Sequence, residues 1–262
     1  MPQKAKLGQN FLADRAARLR IVEALGDISQ KTVVEIGPGK AAITEILAQK
    51  TQHLICVELD RDLAASLREQ FAATPVCIIE QDILTVDLAG LRNNDEKLLV
   101  VGNLPYYITS DILLHLFRYH DAISRAVIMM QREVADRVAA APGSSDYGLL
   151  SATTQLYARV EKLMTLPPEA FSPPPQVYSS VLRLTLAPRF EELGIDAEGF
   201  IAFLRQCFAQ KRKTMQNNLR AAGYDSTVVQ QAAERAGVSL KARAEALPLE
   251  AAASLYRALR SE

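Results

Sequence analysis

The chain has no tryptophan and only three cysteines and three histidines among its 262 residues. Cys56, Cys77 and Cys207 are scattered, and none has zinc-ligand spacing; His53, His115 and His120 add no cluster. No structural metal is therefore expected. Cys56 and Cys77 fall inside expected strands, where free thiols pack as small hydrophobes. No apolar run approaches the ~20 residues that a membrane-spanning helix needs. The opening MPQKAKLGQNFL has neither an apolar signal core nor an Arg/Ser-rich transit pattern, so a cytoplasmic location is expected. Net charge is missing too, with 30 basic against 30 acidic residues. A uniformly basic nucleic-acid binder is excluded, and only local patches are left to attract RNA.

What is present is apolar content, 49% of residues, enough for a sizeable core. KTVVEIG (31–37), HLICVEL (53–59), VCIIEQ (76–81), KLLVVGN (97–103) and RAVIMMQ (125–131) read as buried strands. Helices are expected between them at 40–50, along RDLAASLREQF and along SDILLHLF. Short apolar strands alternating with amphipathic helices predict an α/β domain with a parallel sheet. After a helix along REVADRVAA, a loop APGSSDYG and a helix along YGLLSATTQLYA come two strands, RVEKLMTL (159–166) and VYSSVLRLTL (177–186). The proline-dense PPEAFSPPPQ joins them without a helix, which suggests an antiparallel pair at the sheet edge. Composition changes near Ala187. Beyond it only helices are expected, at 196–209, 211–222, 226–236 and 248–260. The expected division is a domain over 1–187 and a small helical domain over 188–262.

VVEIGPGKAAIT is a strand, a glycine turn and a helix start. Gly37 and Gly39 permit close approach of a ligand to the backbone, and a helix N-terminus offers free N–H groups. Glu58 ends the next strand, where a carboxylate accepts ribose hydroxyl hydrogens, and Asp82 follows the third strand in the same way. GPGKAA also fits the dinucleotide fingerprint, so a nicotinamide-dependent oxidoreductase is a rival reading. Asp82 tips the balance, because a nicotinamide site does not require it, whereas the adenine amino group of S-adenosylmethionine wants such an acceptor. Taken singly, each feature has a plainer reading as a tight turn or a solvated strand-end carboxylate.

VVGNLPYYITSDIL (100–113) poses a different question, because Asn103, Leu104, Pro105, Tyr106 and Tyr107 are an odd set for a turn. An exocyclic amine on an aromatic base is a poor nucleophile, its lone pair being delocalised into the ring. A site that methylates it must hold both N–H hydrogens with acceptors out of the ring plane. The Asn103 side-chain oxygen and the Leu104 carbonyl suit that task; Pro105 fixes the turn, and Tyr106 offers a stacking face. The contribution expected is in-line alignment of nitrogen, methyl and sulfur. In AFSPPPQV, three prolines stiffen the loop after Phe171, which could then cover the other face of the base. A base held between two rings must leave its stack first. The alternatives are a strand-ending turn with packed tyrosines and a core phenylalanine.

LGQNFL, VVEIGPGKAAIT, VELDRDL, QDIL, VGNLPYYIT and AFSPPPQV together resemble, in order and spacing, the ribosomal RNA adenine N6,N6-dimethyltransferase family over nearly the whole chain. KRKTMQNNL (211–219) and the Arg243–Glu245 segment resemble the C-terminal domain of its members acting on small-subunit RNA. Resistance-type members acting on large-subunit RNA share the catalytic motifs but typically not that basic segment. The resemblance implies a Rossmann-like class I S-adenosylmethionine-dependent sheet, mostly parallel with an antiparallel last strand, and a small all-helical C-terminal domain. It implies a cofactor site with Asn10 and Leu12 on an N-terminal lid, Gly37 at the methionine side, Glu58 with Leu59 at the ribose, Asp82 with Ile83 at the adenine, and Asn103 touching both cofactor and amine. It implies dimethylation of two adjacent adenines near the 3′ end of 16S RNA, late in small-subunit assembly, by a protein expected to be a monomer. The chain departs from the family at Lys40, where an apolar residue is usual, and at Ala41 and Ala42, which leave no third glycine. Gln176 and Tyr178 replace a frequent Lys and Asp, and Gln216 a frequent Arg.

Lys211, Arg212, Lys213 and Arg220, with Lys4 and Lys6 near the start, are the expected RNA-binding residues. Taken alone, either set is a solvated face or tail. Phosphate contacts would make binding fall with salt while reading no sequence. A non-catalytic assembly or RNA-binding factor retaining the fold is the remaining alternative.

Overall fold

A computed structural model describes residues 10–260. They divide into two compact units: one holds the residues up to Ala135 with Arg159–Ala187, the other Asp136–Ala158 with the residues from Pro188 onward. The first unit starts with β1 (Phe11–Leu12) and α1 (Arg15–Glu23), capped by the Asp14 carboxylate on the Ala17 N–H. There follow β2 (Val33–Ile36), α2 (Thr44–Leu47), β3 (Leu54–Glu58), α3 (Arg61–Gln70), β4 (Cys77–Glu80), β5 (Leu98–Asn103), α4 (Thr109–Arg118), β6 (Ile123–Gln131) and α5 (Arg132–Ala139). After α6 (Leu149–Tyr157) come β7 (Ala158–Leu166), β8 (Phe171–Ser172) and β9 (Ser179–Leu186).

Seven strands form one sheet in the order β4-β3-β2-β5-β6-β9-β7. The pairs from β4 to β6 are parallel, and β9 runs antiparallel to β6. The edge strand β7 continues that sense: Thr165 meets Ser180 and Glu161 meets Arg183, so the two chains run opposite ways. The α/β sheet with its antiparallel end is thus as the sequence suggests. β2 and β5 are buried throughout apart from the half-buried Asn103, as expected of parallel strands covered on both faces. Ile36 lies between Val57 and Gly102. The next residues, Gly37, Glu58 and Asn103, therefore leave three adjacent strands at one level.

The second unit contains α6, α7 (Phe190–Leu193), α8 (Ala197–Cys207), α9 (Met215–Ala221), α10 (Ser226–Ala236) and α11 (Leu249–Arg260). Phe200, Phe203 and Tyr256 pack ring against ring at its centre. Asp196, Thr214 and Asp225 cap three of the helices, and Gly237 ends α10 in the left-handed conformation that glycine adopts readily.

Three local expectations need correction. The helix expected from residue 40 begins at Thr44, because Gly39 and Ala41 hold left-handed backbone, φ +56° and +64°, which no α-helix tolerates. The helix expected from residue 211 begins at Met215: Thr214 is extended, and its hydroxyl accepts the Asn217 N–H at 3.4 Å. Cys77 is exposed rather than packed, since β4 is an edge strand. Among the described residues no helix is long and apolar enough to cross a membrane.

Candidate active site

Chain order reverses on either side of β2, which has β3 on one flank and β5 on the other. Open parallel sheets bind ligands at such a switch point, beyond the C-terminal ends of the strands. A cavity of about 290 Å³ opens there. Gly37, Gly39, Glu58, Leu59, Asp82 and Ile83 line it together with Asn10, Asn103, Leu104, Pro105 and Tyr106. Residues that are far apart in sequence, and that were expected to act on a cofactor and on a base, thus share one chamber.

Glu58 is buried and held by two backbone donors: the Gly39 N–H reaches Oε2 at 3.1 Å and the Asp60 N–H reaches Oε1 at 2.9 Å. Asp60 in turn caps α3 through the Asp62 and Leu63 N–H groups, so the glycine turn and the start of α3 hold the Glu58 carboxylate between them. Each Glu58 oxygen keeps a lone pair for a hydroxyl donor. Asp82 is half-buried, with Oδ1 accepting the Leu84 N–H at 3.0 Å. Gly37 has φ +64°, and a Cβ there would meet nothing closer than the Asn103 carbonyl at 4.0 Å. A side chain at that point would fill cavity space rather than strike protein.

The corner after β5 is fixed at each residue. Asn103 Nδ2 donates to the Asn10 carbonyl at 3.0 Å, which leaves Oδ1 as an acceptor. The Leu104 N–H donates to the Met129 carbonyl at 2.9 Å, holding the corner to β6. The Pro105 carbonyl accepts the Thr109 hydroxyl at 3.0 Å at the start of α4. Tyr106 shares a 3.0 Å hydrogen bond with the buried Ser179 hydroxyl, which pins its ring. Beneath the glycine turn lies Glu35, 2% exposed, whose carboxyl is pushed up to about 7 by burial and further by the Glu58 charge; the Cys56 thiol at 3.7 Å works against this. At neutral pH about half of it is therefore protonated, because burial favours the neutral form of a carboxyl.

Leu12 and Phe171 do not line the cavity. They face each other in the antiparallel pairing of β1 with β8, and both are buried in the adjoining core. The Ala170 carbonyl accepts the Ala13 and Asp14 N–H groups at 2.7 and 3.1 Å, so this pairing anchors the N-terminal segment. Phe11, which the sequence did not single out, lines the cavity instead; its ring lies 2.8 Å from where a Gly39 Cβ would be, and Lys40 Nζ stands 4.8 Å from the ring centroid. Tyr107 is another omission, 65% exposed and lining the same cavity. Its place directly after Tyr106 was the available signal.

In the second unit Lys211, Arg212, Lys213 and Arg220 are exposed. The first three form a turn before α9. Buried Asn218 fastens that turn, donating to the Cys207 carbonyl at 2.7 Å and accepting the Gln210 N–H at 3.2 Å. Lys211 Nζ donates to the Ser145 carbonyl at 2.9 Å. Lys4 and Lys6 lie outside the described residues.

Comparison with known proteins agrees with this chemistry. A family model described as ribosomal RNA adenine dimethylase matches residues 2–261. The ribosomal RNA small subunit methyltransferase A of Acidobacterium capsulatum is 63% identical over 257 residues, covering 98% of this chain and 91% of that protein. Its counterpart from Koribacter versatilis is 56% identical, covering 98% and 95%. Among solved structures, a dimethyladenosine transferase from Plasmodium falciparum superposes with a TM-score of 0.80 at 21% identity over 94% of this chain and 95% of that one, a likeness of fold. The 23S rRNA methyltransferase ErmE gives 0.72 at 28% identity over 96% and 100%.

Proposed function

We propose a function from the premise that the chain belongs to the ribosomal RNA adenine dimethylase family: it dimethylates N6 of two adjacent adenines near the 3′ end of small-subunit (16S) ribosomal RNA, late in subunit assembly and in the cytoplasm. One observation carries this reading. The Asn103–Tyr106 corner and the Gly37–Glu58–Asp82 set open into a single cavity.

The residues present fit S-adenosylmethionine. Glu58 suits a ribose diol, the free oxygen of Asp82 suits an adenine amino group, and the side-chain-free Gly37 leaves room for an amino-acid tail beside the backbone. When bound, that cofactor supplies an electrophilic methyl group on a sulfonium. The chain supplies alignment. Asn103 Oδ1 and the Leu104 carbonyl accept the two amine hydrogens and turn the nitrogen lone pair out of the base plane. Tyr106, pinned through Ser179, stacks on the base. No side-chain base is required, because the methylated ammonium is acidic enough to lose its proton to water. Alignment within the cavity is the principal source of rate. The exposed Lys211–Lys213 turn suits phosphate contact, which positions RNA without reading its sequence.

The test is to incubate the protein with labelled S-adenosylmethionine and undermethylated small subunits, then digest the RNA to nucleosides. Dimethyladenosine is expected. Its absence from the small-subunit RNA, or its appearance only in large-subunit RNA in a parallel incubation with large subunits, overturns this reading. Normal subunit maturation with Asn103→Ala would instead favour an assembly factor whose catalysis is dispensable.

A further inference from the structure

Tyr178 belongs to an exposed pair with Arg132, one residue along the chain from Ser179. The residue is 45% exposed, and the Arg132 guanidinium lies over its ring, 5.0 Å from the centroid. The Arg132 N–H donates to the Tyr178 carbonyl at 2.9 Å, so the first residue of α5 and the residue before β9 are tied at the backbone as well. Among the described residues no carboxylate pairs with Arg132, which leaves its charge available. The next residue, Ser179, is the one that pins Tyr106. Adjacent Cα atoms are only about 3.8 Å apart. The Arg132–Tyr178 pair is therefore one residue along the chain from the residue that pins the ring assigned to the target base, and the exposed Tyr107 lines the same cavity as that ring.

We propose that Arg132 and Tyr178 form a stacking subsite for the nucleotide adjacent to the target adenine. The proposal rests on the RNA adenine reading above. Drawing a base into the cavity unstacks it from its neighbour and leaves that neighbour with an exposed face. Single-stranded bases stack on aromatic rings and on guanidinium planes, and a cation beside the ring also meets the phosphate charge. A ring already covered on one face by a guanidinium is held flat, so little freedom is lost when the base arrives.

The test uses the full chain and a single-stranded RNA hexamer carrying 2-aminopurine beside an adenosine. The wild type should quench its fluorescence on binding. Tyr178→Ala should weaken binding by about five- to twentyfold, as loss of one base–aromatic stack predicts. Tyr178→Phe, which keeps the ring, should stay within about twofold of wild type, the scale of a retained stack. S-adenosylmethionine affinity, measured by calorimetry, should be the same in all three. Tyr178→Ala binding as tightly as wild type, a wild type that does not quench, or cofactor affinity falling in step with RNA affinity would each overturn the subsite. Failure of the wild type to methylate small subunits refutes the enzymatic reading alone, and the quenching comparison still decides the subsite.

Discussion

The cavity of the first unit and the basic turn of the second hold their polar groups by opposite means. Around the cavity each key group is fixed by a named partner: Glu58 by two N–H groups, Asn103 through Asn10, Tyr106 through buried Ser179. In the turn Asn218 fastens the backbone and Lys211 makes a single hydrogen bond to the Ser145 carbonyl, while Arg212 and Lys213 are exposed. Methyl transfer depends on direction, and a misplacement of an ångström sharply lowers the rate. Phosphate attraction depends on charge and tolerates a flexible stem. A site for chemistry and a site for grip are thus distinguishable by how many hydrogen bonds hold each side chain.

Replacing Asn103 by Ala tests the first half of that contrast and carries the largest expected effect. It removes an acceptor aimed at the reacting amine, so kcat should fall by about 10²–10³-fold, the usual loss for a preorganised polar group. Cofactor affinity should change by only a few-fold, because Glu58 and Asp82 keep their places. Single-turnover methylation and calorimetry separate the two quantities, and equal losses in both would contradict the role given to Asn103.

The buried carboxyl under the glycine turn sharpens the same contrast through pH. Glu35 moves from its ordinary 4.5 to about 7 on folding, because burial disfavours the charged form. The folded state then binds a proton more tightly than the unfolded chain. The contribution is fully present below about pH 4.5 and is lost as pH rises through 7, a change on the order of 3 kcal/mol. Glu35→Gln should therefore gain stability relative to wild type on going from pH 5 to pH 8. Urea unfolding at the two values measures it, and a difference independent of pH would show that Glu35 is ionised in the fold.

Substituting Ala for Lys211, Arg212 and Lys213 together tests the other half. KM for the small subunit should rise about tenfold, with kcat nearly unchanged, and the log–log salt slope should shrink by roughly one unit or less for each phosphate no longer neutralised. Because Lys211 is partly engaged by the Ser145 carbonyl, the change in slope should be nearer that of two phosphates than of three. A fall in kcat instead of a rise in KM would erase the distinction between the two regions.

The cavity was more legible in the sequence than the turn for the same physical reason. Strand ends at a switch point come to one level by register, so Gly37, Glu58 and Asn103 could be grouped from apolar periodicity and a count of residues. Burial at a loop is a tertiary property, and nothing local announced that Leu12 and Phe171 pack together while Phe11 lines the cavity. The late starts of α2 and α9 were hidden likewise. One follows from left-handed backbone at an alanine, the other from a threonine cap inside a stretch of good helix formers. Exposed Cys77 was missed because apolar composition does not tell an edge strand from a central one.

Ala41 marks where the rigid region departs from its own ideal, and it supports the smallest prediction. The residue is fully buried, yet it holds φ +64°, a conformation that disfavours any Cβ. The turn holds at Ala41 a backbone shape that glycine adopts readily, so the neighbours impose it. Ala41→Gly should relieve that strain. Set against the extra freedom glycine restores to the unfolded chain, the net gain should be about 0.5–1 kcal/mol. In a protein of this size that amounts to a rise in Tm of about 1–3 °C. Cofactor affinity should stay within about twofold, because Gly37 and Glu58 are already held by other hydrogen bonds. A tighter cofactor with no gain in Tm would mean instead that the Ala41 methyl group obstructs the site, and that the turn is less rigid than its hydrogen bonds imply.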